Sequence, residues 1–247
     1  MGIRLTAART LHGRAPAAPM YRSIVAVDLE GSTKRTNPVK GELRRIMYDL
    51  LERALDAAGI SEEHLEPLTD RGDGILILIR PHDEVPKTVL LGRLMPMLTA
   101  LLLEYNAAVV HQALSLRLRA VVHAGEVHYD GRGFFGEDLD VAIRLLDSRP
   151  VKRALREAVA SPLVLVVSEE IFSGVVRQGY VDGGSYEQRV RVRVGNRQRR
   201  GWINIPVPGR ALWPSRIRRV EDSVSPSLVI AEAGGSGRGA KEAVAGR

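Results

Sequence analysis

Two aspartates stand where an apolar, β-branched run breaks into a glycine-containing turn: Asp28 in IVAVDLEGST and Asp73 in DRGDGILILI. Stiff β-branched residues favour strands, and Asp and Gly favour the turns that end them, so each carboxylate is expected exposed at a sheet edge. Two such carboxylates can hold a pair of hard cations. Mg²⁺ takes oxygen ligands, keeps waters and shares the phosphates of its substrate, so the pair points to phosphoryl chemistry on a nucleotide. Taken singly, either motif reads more readily as an ordinary turn aspartate, because Asp is common in turns.

A third segment, LRLRAVVHAGEVHYDGRGFFGEDLDVAIRLLD from Leu116 to Asp147, reads as a strand, a glycine-interrupted hairpin or loop, and a helix starting near Gly136. Together the three segments resemble the class III nucleotidyl cyclase catalytic domain, the adenylate and guanylate cyclase fold, over roughly Tyr21 to Pro206. The family's D-hydrophobic-x-G-aromatic-T turn matches Asp28, Leu29, Gly31 and Thr33, with Ser32 in place of the aromatic. Its second metal aspartate, in a GD turn, matches Gly72-Asp73. Its HxGxV strand matches His123, Gly125 and Val127, and its helical GxxVNxAxR falls without a gap on Gly136, Leu139, Asp140, Ala142 and Arg144.

The resemblance implies a fold and a reaction. The fold is α+β, a ferredoxin-like βαββαβ core with a C-terminal αβ extension. The reaction is conversion of a nucleoside triphosphate to a 3′,5′-cyclic nucleotide and pyrophosphate, with two Mg²⁺ or Mn²⁺ ions on Asp28 and Asp73 and the Leu29 carbonyl as an added ligand. Gly31, Ser32 and Thr33 would offer backbone N–H groups to the phosphates. Arg144 would neutralise charge on the transferring group. In the family the metal carboxylates come from one domain and the helical Asn and Arg from another, so a homodimer with two shared sites is implied.

Two departures bear on the substrate. The ribose-orienting Asn falls on Asp140, which when ionised accepts hydrogen bonds but donates none. The adenine-selecting Lys falls on Thr69 and its partner on Gly133, so the base pocket is not that of an ATP enzyme. Some bacterial members of the family make cyclic pyrimidine nucleotides, so either another base or a catalytically silent, nucleotide-binding regulatory domain fits these changes.

Other signals compete less well. Gly131, Gly133 and Gly136 spell GxGxxG, but the dinucleotide fingerprint belongs to a first βα turn and leaves the aspartate pair unexplained. Six histidines are scattered with no metal-ligand spacing, and His123 reads as a strand residue packing near the sheet. The net charge of +7 is concentrated in QRVRVRVGNRQRRGW, where Arg189, Arg191 and Arg193 alternate with Val190, Val192 and Val194. Period two gives a strand with one apolar and one basic face, turning near Gly195-Asn196. A solvated, aggregation-resistant edge is the default for such a strand, and 4% aromatics leaves little for base stacking, so nucleic acid is not the expected partner.

The remaining elements must position the motifs. Leu43, Ile46, Met47, Leu50, Leu51, Ala54 and Leu55 predict a helix over about Gly41 to Ala58. Ile75 to Ile79 predicts a central strand, followed by Pro81 and a second helix from about Pro86 to Ala107. The longest apolar stretch, Val89 to Val110, contains Arg93, Pro96 and Glu104, which fits a buried helix better than a membrane span. With 247 residues, 45% apolar, and no cysteine, the chain can bury a full core without disulfides or Cys-ligated zinc, as in a reducing cytoplasm. The expected organisation is a disordered extension over 1–20, a cyclase-like domain over 21–208 and a mostly disordered tail over 209–247.

Overall fold

A computed structural model of the chain describes residues 18–182 and 186–206, the side chains of 187–189 excepted. The expected extension lies outside the described residues up to residue 17, and the expected tail lies wholly outside them.

The described residues form a mixed α+β fold around one sheet. Strand β1 (Met20–Leu29) is central, with β3 (Gly74–Ile79) antiparallel on one side and β4 (Leu118–Tyr129) antiparallel on the other. The two-residue β2 (Thr69–Asp70) borders β3, and β5 (Phe134–Phe135) folds back on β4. Strand β6 (Leu163–Ser168) runs parallel to β4, followed outward by the hairpin of β8 (Arg197–Asn204) and β7 (Tyr186–Val194), for an order of β2-β3-β1-β4-β6-β8-β7. The β2-β3-β1-β4 part is the ferredoxin-like core, and β6 to β8 are the αβ extension.

Helices cover both faces, as the strands require: residues 25, 27 and 29 of β1 join one core and residues 24 and 26 the other. The first core holds α1 (Asn37–Ala58) and a long helix built of α2 (Lys87–Val89), a π turn over Leu90–Leu94, and α3 (Met95–Ala108). Pro96 explains the π turn, since its ring excludes the carbonyl four residues back and it carries no N–H. Helix α1 starts earlier than its apolar stripe because Pro38 sets its first turn. Lys87–Ala108 is long and apolar enough to cross a membrane, yet half of its apolar window is buried against this core. The second core holds α4 (Glu137–Leu146) and α5 (Arg149–Glu157). Helix α6 (Glu169–Ile171) extends into a second π turn, where Phe172 stacks on Trp202.

The arginine-rich strand is β7, at the sheet's edge, with Val190 and Val194 buried and Arg191 and Arg193 exposed. Its turn falls at Gly195 and Asn196, as the pattern predicts.

Candidate active site

Asp28 is the next-to-last residue of β1, and alternation aims it at the face carrying α4 and α5. Asp73 ends the turn before β3. The register pairs Asp28 with Gly74, and a Cβ on Gly74 would lie 2.5 Å from the Val27 carbonyl oxygen. Only glycine lets the chain pass that closely, and the pass sets Asp73 beside the end of β1. A hydrogen bond of 2.9 Å from Leu29 N–H to the Asp73 carbonyl holds the two segments together.

The two aspartates open on one cleft of about 330 Å³, which also takes in Leu29, Gly31, Ser32 and Thr33. Ser32 is buried, and its hydroxyl donates to Asp73 Oδ2. The far wall comes from α4 and the α4–α5 junction, with Ile143, Leu146, Asp147 and Lys152. Lys152 Nζ lies 3.1 Å from Asp147 Oδ1. Arg71 and Arg119 complete the basic lining.

The expectation that Asp28 is exposed at a sheet edge is corrected by the fold. It ends the central strand with a side chain 14% exposed, and the guanidinium of Arg119, 11% exposed, donates to Asp28 Oδ2. Burial raises the Asp28 pKa above its ordinary value of 3.8; Arg119 opposes that shift and the nearby Asp73 adds to it. Among the described residues Asp73 has no basic group within ion-pair distance, so the cleft carries two neighbouring carboxylates and one guanidinium shared with only one of them. The oxygen atoms of this carboxylate pair fit a hard divalent cation.

Four predicted site residues do not reach this cleft. Asp140 and Arg144 lie on α4 with exposed side chains, and neither lines the cavity. Thr69 is exposed on β2, opposite Leu76. Gly133 sits in the β4–β5 loop, where Asp130 Oδ1 accepts from the N–H groups of Arg132 at 2.8 Å and Gly133 at 3.0 Å. The GxGxxG run is thus a hairpin followed by the first turn of α4, not a direct strand-to-helix passage.

Arg119, Lys152 and Asp147 went unmarked in the sequence. Arg119 carries a signal, being a charged residue at the start of an otherwise apolar run (Leu118–Val122), and register places it opposite Asp28. Lys152 and Asp147 carry none, since only the packing of α4 and α5 brings them to the cleft. Four residues along β4 from Arg119, His123 is 1% exposed, with Nε2 3.2 Å from Asp138 and Nδ1 3.4 Å from Glu170. Asp138 Oδ2 also accepts from the Glu126 N–H at 2.7 Å, and a Cβ on Gly125 would overlap that carboxylate. His123 and Gly125 therefore fix the start of α4 on β4.

No protein-family model and no curated protein matches the chain by sequence. Solved structures match its fold. An adenylate/guanylate cyclase/hydrolase from Silicibacter pomeroyi superposes with a TM-score of 0.56 at 18% identity, covering 77% of this chain and 99% of that one. The guanylyl cyclase Cya2 gives 0.53 at 15%, over 81% of this chain and 100% of that one. The adenylyl cyclase CyaB from P. aeruginosa gives 0.52 at 14%, again over 81% and 100%. The fold is that of the class III adenylate/guanylate cyclase catalytic domains.

Proposed function

We propose that this chain is a metal-dependent nucleotidyl cyclase that forms a 3′,5′-cyclic nucleotide and pyrophosphate from a nucleoside triphosphate, working as a homodimer. The observation that carries the reading is the meeting of Asp28 and Asp73 in one cleft, where Asp73 has no ion-pair partner among the described residues. Asp28, Asp73 and the Leu29 carbonyl would hold Mg²⁺ or Mn²⁺. Bound there, the metal would supply charge neutralisation for the triphosphate and a lowered pKa for the attacking hydroxyl.

The chain's own groups supply the rest. Gly31, Ser32 and Thr33 border the cleft at the start of a 3₁₀ turn (Ser32–Lys34), whose first N–H groups suit phosphate oxygens. Ser32 orients Asp73 through its hydroxyl, and Arg119 opposes the rise that burial gives the Asp28 pKa. Arg71 and Lys152 add positive charge where a triphosphate would lie. Asp140, Arg144, Thr69 and Gly133 are left facing away from this cleft in their own subunit. A head-to-tail partner placing its α4 over the cleft would return them to the substrate, with Arg144 beside the transferring phosphoryl group and Thr69 and Gly133 beside the base.

The second reading, a silent nucleotide-binding domain, is favoured by Asp140 at the ribose position. Incubating purified protein with each of the four nucleoside triphosphates and Mg²⁺ or Mn²⁺, with product identification by mass spectrometry, decides between them. A cyclic nucleotide from at least one triphosphate is expected. Metal-dependent binding without product would establish the silent domain.

A further inference from the structure

The histidines that look scattered in sequence meet at the opposite end of β3 from Asp73. His64 closes a 3₁₀ turn (Glu62–His64), and His82 follows β3 after Pro81. The Arg80 N–H donates to the His64 carbonyl at 2.8 Å, and Leu65 bridges to Ile79, so the two segments are tied by backbone. The imidazole centroids stand 4.7 Å apart with planes tilted by 59°. Glu84 joins them, and ligand-capable atoms of the three side chains all lie within 4.8 Å of one another.

His64 is the decisive residue. Its ring is 4% exposed, and Nε2 is buried with no hydrogen-bond partner. A buried polar atom left alone is costly, and its presence marks a site where something else binds. Nδ1 is occupied by Ser61, whose Oγ lies 2.9 Å away, so Nε2 is the nitrogen left for a ligand. Ser61 Oγ donates to Glu63 Oε1 at 2.9 Å, which leaves its oxygen free to accept from Nδ1 once that nitrogen carries the ring proton. An ion taking the Nε2 lone pair would shift the ring proton to Nδ1, where a hydroxyl backed by a carboxylate can hold it. In the ion-free state the Ser61 backbone N–H donates to Nδ1 at 3.2 Å, which leaves the ring proton on Nε2, so ion binding would exchange that hydrogen bond for the one to Ser61 Oγ. His82 and Glu84 are both exposed, so an ion has an entry path.

We infer that His64, His82 and Glu84 form a second metal site, separate from the aspartate cleft, that takes a borderline transition cation, Zn²⁺ above all. Two imidazoles and a carboxylate are a zinc donor set, and they suit Mg²⁺ poorly, since it prefers oxygen and octahedral geometry. Three protein ligands leave a fourth position to water. The ion would pin the His82–Glu84 loop to the turn before β2, as a staple at the far end of the core.

The test uses full-length protein without a polyhistidine tag, in an Asp28→Asn/Asp73→Asn background that removes the cleft carboxylates. After dialysis against Zn²⁺ and then buffer, elemental analysis should find about one zinc per chain, and Tm should rise by several degrees on zinc addition but not on Mg²⁺ addition. Co²⁺ should give a visible d–d spectrum. His82→Ala and Glu84→Gln change exposed residues and should keep the fold while lowering zinc retention at least tenfold. Zinc content at background in the parent chain, or equal retention by both variants, would overturn the site, and neither result touches the cyclase reading.

Discussion

Asp28 and Arg119 face each other across the β1–β4 register and form an ion pair at the floor of the cleft. The pair opposes the effect of burial on the carboxylate to which the proposed metal site is assigned. Because burial and Asp73 raise the Asp28 pKa while Arg119 lowers it, removing the guanidinium should raise it further. In Arg119→Leu, the titration midpoint of the Asp28 carboxyl carbon, followed by NMR, should move above its position in the parent protein, itself above 3.8. A raised folded pKa means that this group's contribution to stability is fully present below the unfolded value and is lost as pH rises through the folded one. An unchanged midpoint in the variant would show that the ion pair does not control this carboxylate.

Removing the carboxylate instead should cost stability as well as turnover. Asp28→Ala strands a largely buried guanidinium, and a loss of about 3 kcal/mol is expected by chemical denaturation. Asp73→Ala, with no ion-pair partner to strand, should stay within about 1 kcal/mol of the parent while abolishing turnover and Mn²⁺-dependent nucleotide binding. Retained turnover in Asp73→Ala would exclude it from the metal site.

The placement of Asp73 in the cleft and Arg144 on an exposed helix face makes a mixing experiment informative. Asp73→Ala and Arg144→Ala chains should each be nearly inactive, and co-expression should recover part of the activity, because a heterodimer holds one intact shared site. Demonstrated heterodimers without recovery would rule out a site built from two subunits.

Asp140 is exposed, and the proposed function gives it the place of the ribose-orienting Asn, so Asp140→Asn should leave the fold within about 0.5 kcal/mol. An enzyme tuned to this carboxylate should lose about tenfold in kcat/KM, equivalent to roughly 1.4 kcal/mol. A silent domain should gain activity with the same change. No change in either direction would mean that α4 does not meet the nucleotide.

His123 yields a pH prediction. Its burial disfavours the charge, but the Asp138 and Glu170 carboxylates that accept from its ring outweigh that and raise its pKa above 6.5. The same contacts, led by the His123 hydrogen bond, hold Asp138 below 3.8 and bring Glu170 down to about 2. The histidine's contribution is fully present below 6.5 and lost as pH rises through its folded value; the carboxylates' contribution is present above about 4.5 and lost as pH falls through theirs. Tm should therefore peak between about 4.5 and 6.5 and fall on the alkaline side, and Glu170→Gln should flatten that fall. A Tm unaffected by pH between 6 and 9, in parent and variant alike, would show His123 to be neutral in the fold.

Much of the fold is legible in the sequence because its signals are local and periodic. The alternation in β7, the helical stripe of α1 and the apolar run of β3 each record which side of an element meets the core, and the spacing of three motifs specifies their order. The position of Asp28 and Asp73 at strand ends is local in the same sense. What the sequence leaves open depends on distance through space. The Asp28–Arg119 pair follows from strand register, and Lys152 reaches the cleft only because α4 and α5 pack on one face of the sheet. His64 and His82 become neighbours because β3 runs the length of the core and returns the chain to the turn before β2. Contacts of this kind join segments that carry no common period, so burial, tautomer and charge at these residues were decided by the tertiary structure alone.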